Sequence, residues 1–432
     1  MELLQLINDT NIDVIETLNN TNIHAKEEFL SDRSLPKPNN IYGNMNHEQI
    51  KRNIDDILHA LDHIGEDIHQ NIEYNIAETM LQDNLKKNVF VFSNYEYNNA
   101  QRNKEELAMK QRCANIALYG EPKEDVFRSI LYNKLTQIEE STLSPQQRVA
   151  YMELQDMIGD VVPQDGAVYY PSQEVVARFG EILNHFMDYI FRHIPSDKPA
   201  YTPADACMIA NIVLREELSE IAGEWQAVVD SNASYASVSP ISHKIVFPGK
   251  RNKGNYTLKE LRAILVHELG VHAFRAMMYT ACRFKPLSIG MPGYEAFEEG
   301  VAKACEQAVN NSYAPSGYMH YISIGLATFL KKSFRETFEI QMRLESLTNG
   351  EMAGRCFDSI QRAFRGTGEL TNNKDLVYYN GSLMVWQYIE EHIDDPELID
   401  NLFLCGKTNA LDIVHERIIY SVRSGGEENR DF

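Results

Sequence analysis

The segment LKELRAILVHELGVHAFRAMMYT, residues 258–280, carries the densest chemistry in the chain, with His267, Glu268 and His272 forming HExxxH. Imidazole is the commonest metal ligand, and HExxH on a helix pairs two zinc-binding histidines with a glutamate base. Here the second histidine comes one residue later. On a regular α-helix of about 3.6 residues per turn, positions i and i+5 point roughly 140° apart and cannot hold one ion. A π-bulge would bring them together, and Gly270 between the histidines lowers the steric obstacle to one. Catalytic zinc takes three protein ligands and leaves a position for water. The third is expected from GYEAFEEGVAKACEQAV at 293–309, with Glu299 as the candidate, adjacent Glu298 as its alternative, and one Zn2+ per chain. Without the histidine motif, Glu295, Glu298, Glu299 and Glu306 would read as the wet face of a helix.

Zinc on two neutral imidazoles and a carboxylate keeps a net positive charge and lowers the pKa of water from about 15.7 toward roughly 7. Glu268, beside a ligand but off the ligand line, would accept that water's proton and deliver it to a leaving amine. Three other readings share these residues: a zinc endopeptidase, a non-catalytic zinc-containing binding module, and an iron oxygenase built on a facial triad. An intact Glu268 argues against the last two, since neither structural zinc nor oxygen chemistry requires a base there.

These residues need elements to position them. Thr257 is a plausible N-cap with Glu260 three positions on as its capping-box partner, which predicts a helix beginning at 258. Before it, WQAVVDSN, ASYASVSP and HKIVFPG are short β-branched or aromatic runs divided by turn residues, which suggests a small antiparallel sheet. The rest shows apolar residues at three- and four-residue intervals, as in the helix bearing Ile54, Ile57, Leu58, Leu61, Ile64 and Ile68. Its polar side holds His59, His63 and Glu66, read as a solvated face. The expected fold is α+β, mainly α: a variable arm at 1–45 ending in the breaker-rich LPKPNNIYGN, a helical region at 46–222, and a zincin-like catalytic region at 223–432.

The 432 residues carry 41 Lys plus Arg against 62 Asp plus Glu, a net charge of -21, which excludes a surface that wraps nucleic acid or anionic lipid as a whole. Six scattered cysteines without a CxxC pair suit neither a disulfide framework nor a four-cysteine zinc site. No apolar stretch approaches the roughly 18 residues of a membrane span, so a cytoplasmic protein is expected, with neither nucleic acid nor membrane as partner.

HELGVHAFR, EEGVA, RAFRG at 362–366, NKDLVYYNG at 373–381 and CGK at 405–407, with ALYGEP at 117–122 ahead of them, occur in the order seen in the tyrosine carboxypeptidase family. The chain resembles that family, which includes the microtubule-associated tyrosine carboxypeptidases and bacterial relatives, over roughly residues 45–425, and a bacterial relative is expected. Val301 stands where leucine is usual, and the amino-terminal arm diverges. The resemblance implies a zinc-dependent carboxypeptidase that removes a carboxy-terminal tyrosine, in the eukaryotic members from α-tubulin tails. It also implies His267, His272 and Glu299 as zinc ligands, Glu268 as catalyst, and a peptide or protein tail as partner.

An exopeptidase needs a donor for the tetrahedral oxyanion and a cation for the terminal carboxylate. Tyr378 is the candidate for the first; Arg365, Lys374 and Arg275 are candidates for the second. Arg275 could equally meet acidic partners or exposed carbonyls late in its helix, and Lys374 could pair with Asp375. The strand HKIVFPG is suited to holding an extended peptide by edge pairing, and Lys244, Lys250, Arg251 and Lys253 form a basic run that could attract an acidic tail or simply be solvated.

Overall fold

The computed structural model describes residues 2–42, 46–64, 72–159, 168–196, 198–231, 233, 235–251, 254–280, 286–348, 353–412, 415 and 418–419. It is mainly helical with one small sheet, which bears out the expected α+β class. The chain divides into two compact units that interleave in sequence: residues 1–70, 77–169 and 317–379 form the first, and 71–76, 170–316 and 380–432 the second. Their limits do not coincide with the divisions at 45 and 222.

The first unit is built around helices whose apolar faces meet in one large cluster, including Phe127, Leu131, Leu154, Ile322, Leu326, Ile360 and Phe364. The amino-terminal arm belongs to it. Phe29 is fully buried, with the rings of Phe334, Phe338 and Phe357 5.0–5.4 Å away, and Asn84 donates to the carbonyl of Ile7 at 2.8 Å. Ile57 is buried as its spacing requires, whereas Leu58 is 50% exposed. His59 and His63 are exposed, in keeping with a solvated face, while Glu66 and Ile68 lie outside the described residues.

The second unit holds the sheet. Strands β1 (Gln226–Asp230), β2 (Ser237–Ser239) and β3 (Lys244–Pro248) lie in the order β1-β3-β2. β1 runs parallel to β3, from Gln226 opposite Lys244 to Asp230 opposite Pro248, and β2 runs antiparallel to it. The sheet is therefore mixed and not antiparallel throughout. Neighbours in sequence do not all pair, because the most apolar strand takes the centre: Ile245 and Phe247 are fully buried, while Val229 of β1 is 44% exposed. The outer side of β1 is closed by Asn211, whose amide exchanges two 2.9 Å hydrogen bonds with the backbone of Ala227.

The helix Leu258–Leu265 opens with the expected capping box: Glu260 N–H donates to Thr257 Oγ1 at 3.2 Å and Thr257 N–H to Glu260 Oε2 at 2.9 Å. It continues as a π-helix over Val266–Ala273 and resumes α geometry at Phe274–Thr280. Leu261, Leu265, Val266, Leu269, Val271 and Ala273 are fully buried, so this rod runs through the interior of its unit. The helix Tyr294–Ala308 packs along it.

Candidate metal centre and catalytic site

The π-helix does what the HExxxH spacing required. It brings His267 Nε2 to 3.1 Å from His272 Nε2, five residues apart on one face. Ligand atoms of His267, Glu268 and His272 all lie within 4.8 Å of one another. Gly270 serves the helix differently from the expected way: its φ is not positive, and a Cβ there would stand 2.9 Å from Met187 Sδ. The glycine makes room for the neighbouring chain, and the backbone turn itself asks nothing special of it.

The helix Tyr294–Ala308 surrounds the imidazoles with carboxylates. Glu299 Oε2 lies 3.8 Å from His267 Nε2, on the side where the two Nε2 atoms face each other. Glu298 is on the opposite side, its Oε1 2.7 Å from His272 Nδ1. Glu306 Oε1 is 2.5 Å from His267 Nδ1. Each outer carboxylate also meets a lysine: Lys407 Nζ donates to Glu298 Oε1, and Lys303 Nζ to both oxygens of Glu306 at 2.9 and 3.0 Å.

Electrostatics follow from this packing. Burial opposes ionisation of Glu298, but Lys407, His272 and Arg275 hold its carboxyl far below the usual range. Glu306 is likewise held down to about 2, burial being outweighed by His267 and Lys303. Burial also depresses His267, yet Glu306 and Glu268 carry its net shift upward. Glu268 differs from the other two acids. It is 5% exposed, takes no hydrogen bond or ion pair from the described residues, and burial raises its carboxyl above the ordinary value against the pull of both imidazoles.

The donor set fits a zinc ion on an observation independent of the motif. Each Nδ1 has a carboxylate oxygen beside it, hydrogen-bonded at His272 and at ion-pair distance at His267, and the two Nε2 atoms face each other at 3.1 Å, close enough to share one cation between them, a metal ion or a proton. Glu298 could not join this set, because it occupies the far nitrogen of His272. Of the two adjacent acids, Glu299 is the one on the side of the facing Nε2 atoms.

The remaining candidates fare unequally. Arg275 is fully buried and donates to Gly406 O at 2.9 and 2.6 Å and to Thr408 O at 2.7 Å, so it cannot receive a substrate carboxylate; its helix position near chain carbonyls decided its role. Lys244 opens β3, which is paired on both sides and offers no edge to a peptide; β1 and β2 are the edge strands, and the outer side of β1 is met by Asn211. Of the basic run, Arg251 is spent on Glu260 at 3.2 Å and on the Tyr256 ring, Lys250 is exposed, and Lys253 lies outside the described residues.

Tyr378, Arg365 and Lys374 belong to the first unit. There Asp375 is 1% exposed and takes two 2.7 Å hydrogen bonds from Arg362, so its ion pair is with Arg362. The Arg362 guanidinium is 5.0 Å from the Tyr378 ring centroid. Lys374 is 8% exposed, its backbone N–H held by Asn372. Arg365 is 9% exposed, and among the described residues its guanidinium has no hydrogen-bond or ion-pair partner.

Sequence reasoning passed over the roles of Glu306, Lys303 and Lys407. Glu299, Lys303 and Glu306 share one helical face at i, i+4 and i+7, a signal that was available. Lys407 ends the CGK segment quoted for the resemblance, but nothing in that segment tells which group the lysine meets.

Neither the curated proteins nor the solved structures give a match. The family model described as microtubule-associated tyrosine carboxypeptidase matches residues 177–420, more than half of the chain, a span containing His267, Glu268, His272, Glu299 and the CGK segment. The chain therefore belongs to the microtubule-associated tyrosine carboxypeptidase family, a family of peptidases.

Proposed function

We propose that the protein is a zinc-dependent carboxypeptidase that releases a carboxy-terminal tyrosine or another aromatic residue from a peptide or protein tail. The observation that carries the zinc reading is the pair of Nε2 atoms facing each other at 3.1 Å, each imidazole backed by a carboxylate on Nδ1. His267, His272 and Glu299 would hold the ion. It supplies Lewis acidity, polarising the scissile carbonyl and lowering the pKa of water toward about 7.

The chain's own groups do the rest. Glu268, unpaired among the described residues and raised by burial, would be a stronger base than an exposed carboxylate, accepting the proton of the attacking water and passing it to the leaving amine. Glu298, hydrogen-bonded to His272 Nδ1, and Glu306, at ion-pair distance from His267 Nδ1, would keep the two Nε2 atoms aimed inward. The free edge of β2, a strand that packs on the π-helix, can align an extended backbone. Among the described residues five cysteines are free and three of them buried, which would suit a reducing compartment such as the cytoplasm.

The test is mass spectrometry of peptides with varied carboxy-terminal residues, with chelator-treated protein as control. Loss of a single terminal residue, greatest for tyrosine or phenylalanine, abolished by the chelator and by amidation of the peptide, is expected. Internal cleavage of an amidated peptide would replace the exopeptidase reading with an endopeptidase one, and undiminished activity of fully metal-free protein would remove zinc from it.

A further inference from the structure

Each imidazole of the HExxxH pair is backed by two groups in series. Behind His272 stand Glu298 and then Lys407; behind His267 stand Glu306 and then Lys303. A carboxylate set beside an imidazole Nδ1, hydrogen-bonded at His272 and at ion-pair distance at His267, still has a free torsion about its own chain. A second donor on the same group removes that freedom, and with it the freedom of the ring. Lys303 does this by binding both oxygens of Glu306 at 2.9 and 3.0 Å, from one turn away on the same helix.

Lys407 does it from a distant part of the chain. It is 3% exposed, and the loop that carries it is fixed at several points: its N–H donates to Leu287 O at 2.8 Å, its carbonyl accepts from Met291 N–H at 2.9 Å, and Arg275 grips Gly406 and Thr408. Arg275 follows His272 by three residues. The rod that presents the imidazoles therefore anchors the loop whose lysine fixes the carboxylate behind one of them, and the restraint closes on itself. A solvated surface pair would have no such backing: Glu298 is 2% exposed and Arg275 fully buried.

From this we infer that Lys407 and Lys303 are positioning residues of the metal site: each locks the carboxylate that orients one metal-binding imidazole, and the two lysines together set the affinity for the ion. The inference rests on the zinc reading. It assigns a function to the lysine of the CGK segment and makes Lys303 its counterpart, although the two come from unrelated parts of the chain.

The experiment compares wild type with Lys407→Met, Lys303→Met, the double variant and Lys407→Arg. Apparent zinc affinity is measured by competition with a graded chelator, the visible spectrum of the Co2+-loaded protein reports ligand geometry, and circular dichroism of the metal-free protein reports folding. Removal of a group behind a ligand typically costs 10–100-fold in metal affinity. Each methionine variant should lose about that factor while staying folded, the double variant should lose more, the Co2+ spectrum should shift, and arginine at 407 should restore part of the affinity.

Wild-type zinc affinity and an unchanged Co2+ spectrum in folded Lys407→Met and Lys303→Met would overturn the inference while leaving the zinc site standing. Absence of zinc binding by the wild type would overturn both. Should Lys407→Met not fold, Lys303, whose side chain is 29% exposed, decides the matter, since its replacement disturbs no buried loop.

Discussion

Among the residues of the site, three glutamates of similar sequence context have three different fates, and environment alone separates them. Glu298 and Glu306 are held down by the cations beside them; Glu268 takes no hydrogen bond or ion pair among the described residues and is raised by burial and by Glu299 and Glu306, against the pull of both imidazoles. A base must have a free lone pair and a carboxyl not held far down, and only Glu268 meets both conditions. Glu268→Gln should therefore retain zinc at one ion per chain and lose about 10²–10⁴-fold in kcat on a tyrosine-ended peptide, the usual worth of a general base. Elemental analysis beside steady-state rates checks this; a variant within threefold of wild type would move the base elsewhere. The identity of His267, Glu268 and His272 was legible because HExxxH is contiguous. The fates of Glu298 and Arg275 were not, because they depend on the direction of a side chain and on a loop about 130 residues away in sequence.

At the scale of elements, the helix that carries the glutamates owes its fit against the helix Leu376–His392 to glycines. A Cβ at Gly300 would collide with the carbonyl of Gly381, and one at Gly381 with the carbonyl of Ala296, so the helices Tyr294–Ala308 and Leu376–His392 touch backbone to backbone at this point. That contact explains why a glycine follows the acidic pair of EEG and ends YYNG. Gly300→Ala should destabilise the fold by about 1–3 kcal/mol or more, the range for overpacking a tight contact, since the obstacle is rigid main chain. A shift of the denaturant midpoint measures it; an unchanged midpoint would mean that the helices separate freely there. The element boundaries were largely legible: Thr257 and Glu260 announced the metal rod, and the three β-rich runs each became a strand. Strand order was not, because period-two patterning reports which faces are buried and is silent on which neighbour lies alongside. The location of the π-helix was legible from chemistry alone, since no other helical form places i and i+5 together.

The two compact units of the whole molecule are each assembled from separate stretches of chain, and this bears on what can fold alone. A fragment of residues 223–432 lacks Asn211, which closes the edge of β1, and Gly180, a Cβ on which would collide with Ala308 O; it also carries residues 317–379 without Phe127, against which Gly325 packs. Such a fragment should show no cooperative unfolding transition, whereas a sharp calorimetric peak from it would establish an independent catalytic region. Global stability should also depend on pH through His320 of the first unit. Burial pushes this imidazole down to about 4, with Asp375 opposing and Arg362 and Arg365 assisting, while Ser359 Oγ sits 3.0 Å from Nδ1. In the unfolded chain the same group titrates near about 6.5. Between these values the unfolded state binds the extra proton, so the folded state is favoured above roughly pH 6.5 and loses that advantage as pH falls toward 4. The full shift corresponds to at most about 3 kcal/mol, reduced because the ring retains some solvent contact. Urea midpoints at pH 7 and pH 4.5 should therefore fall further for the wild type than for His320→Gln, which has no proton to gain; equal losses in the two proteins would show that the acid sensitivity of the fold arises elsewhere.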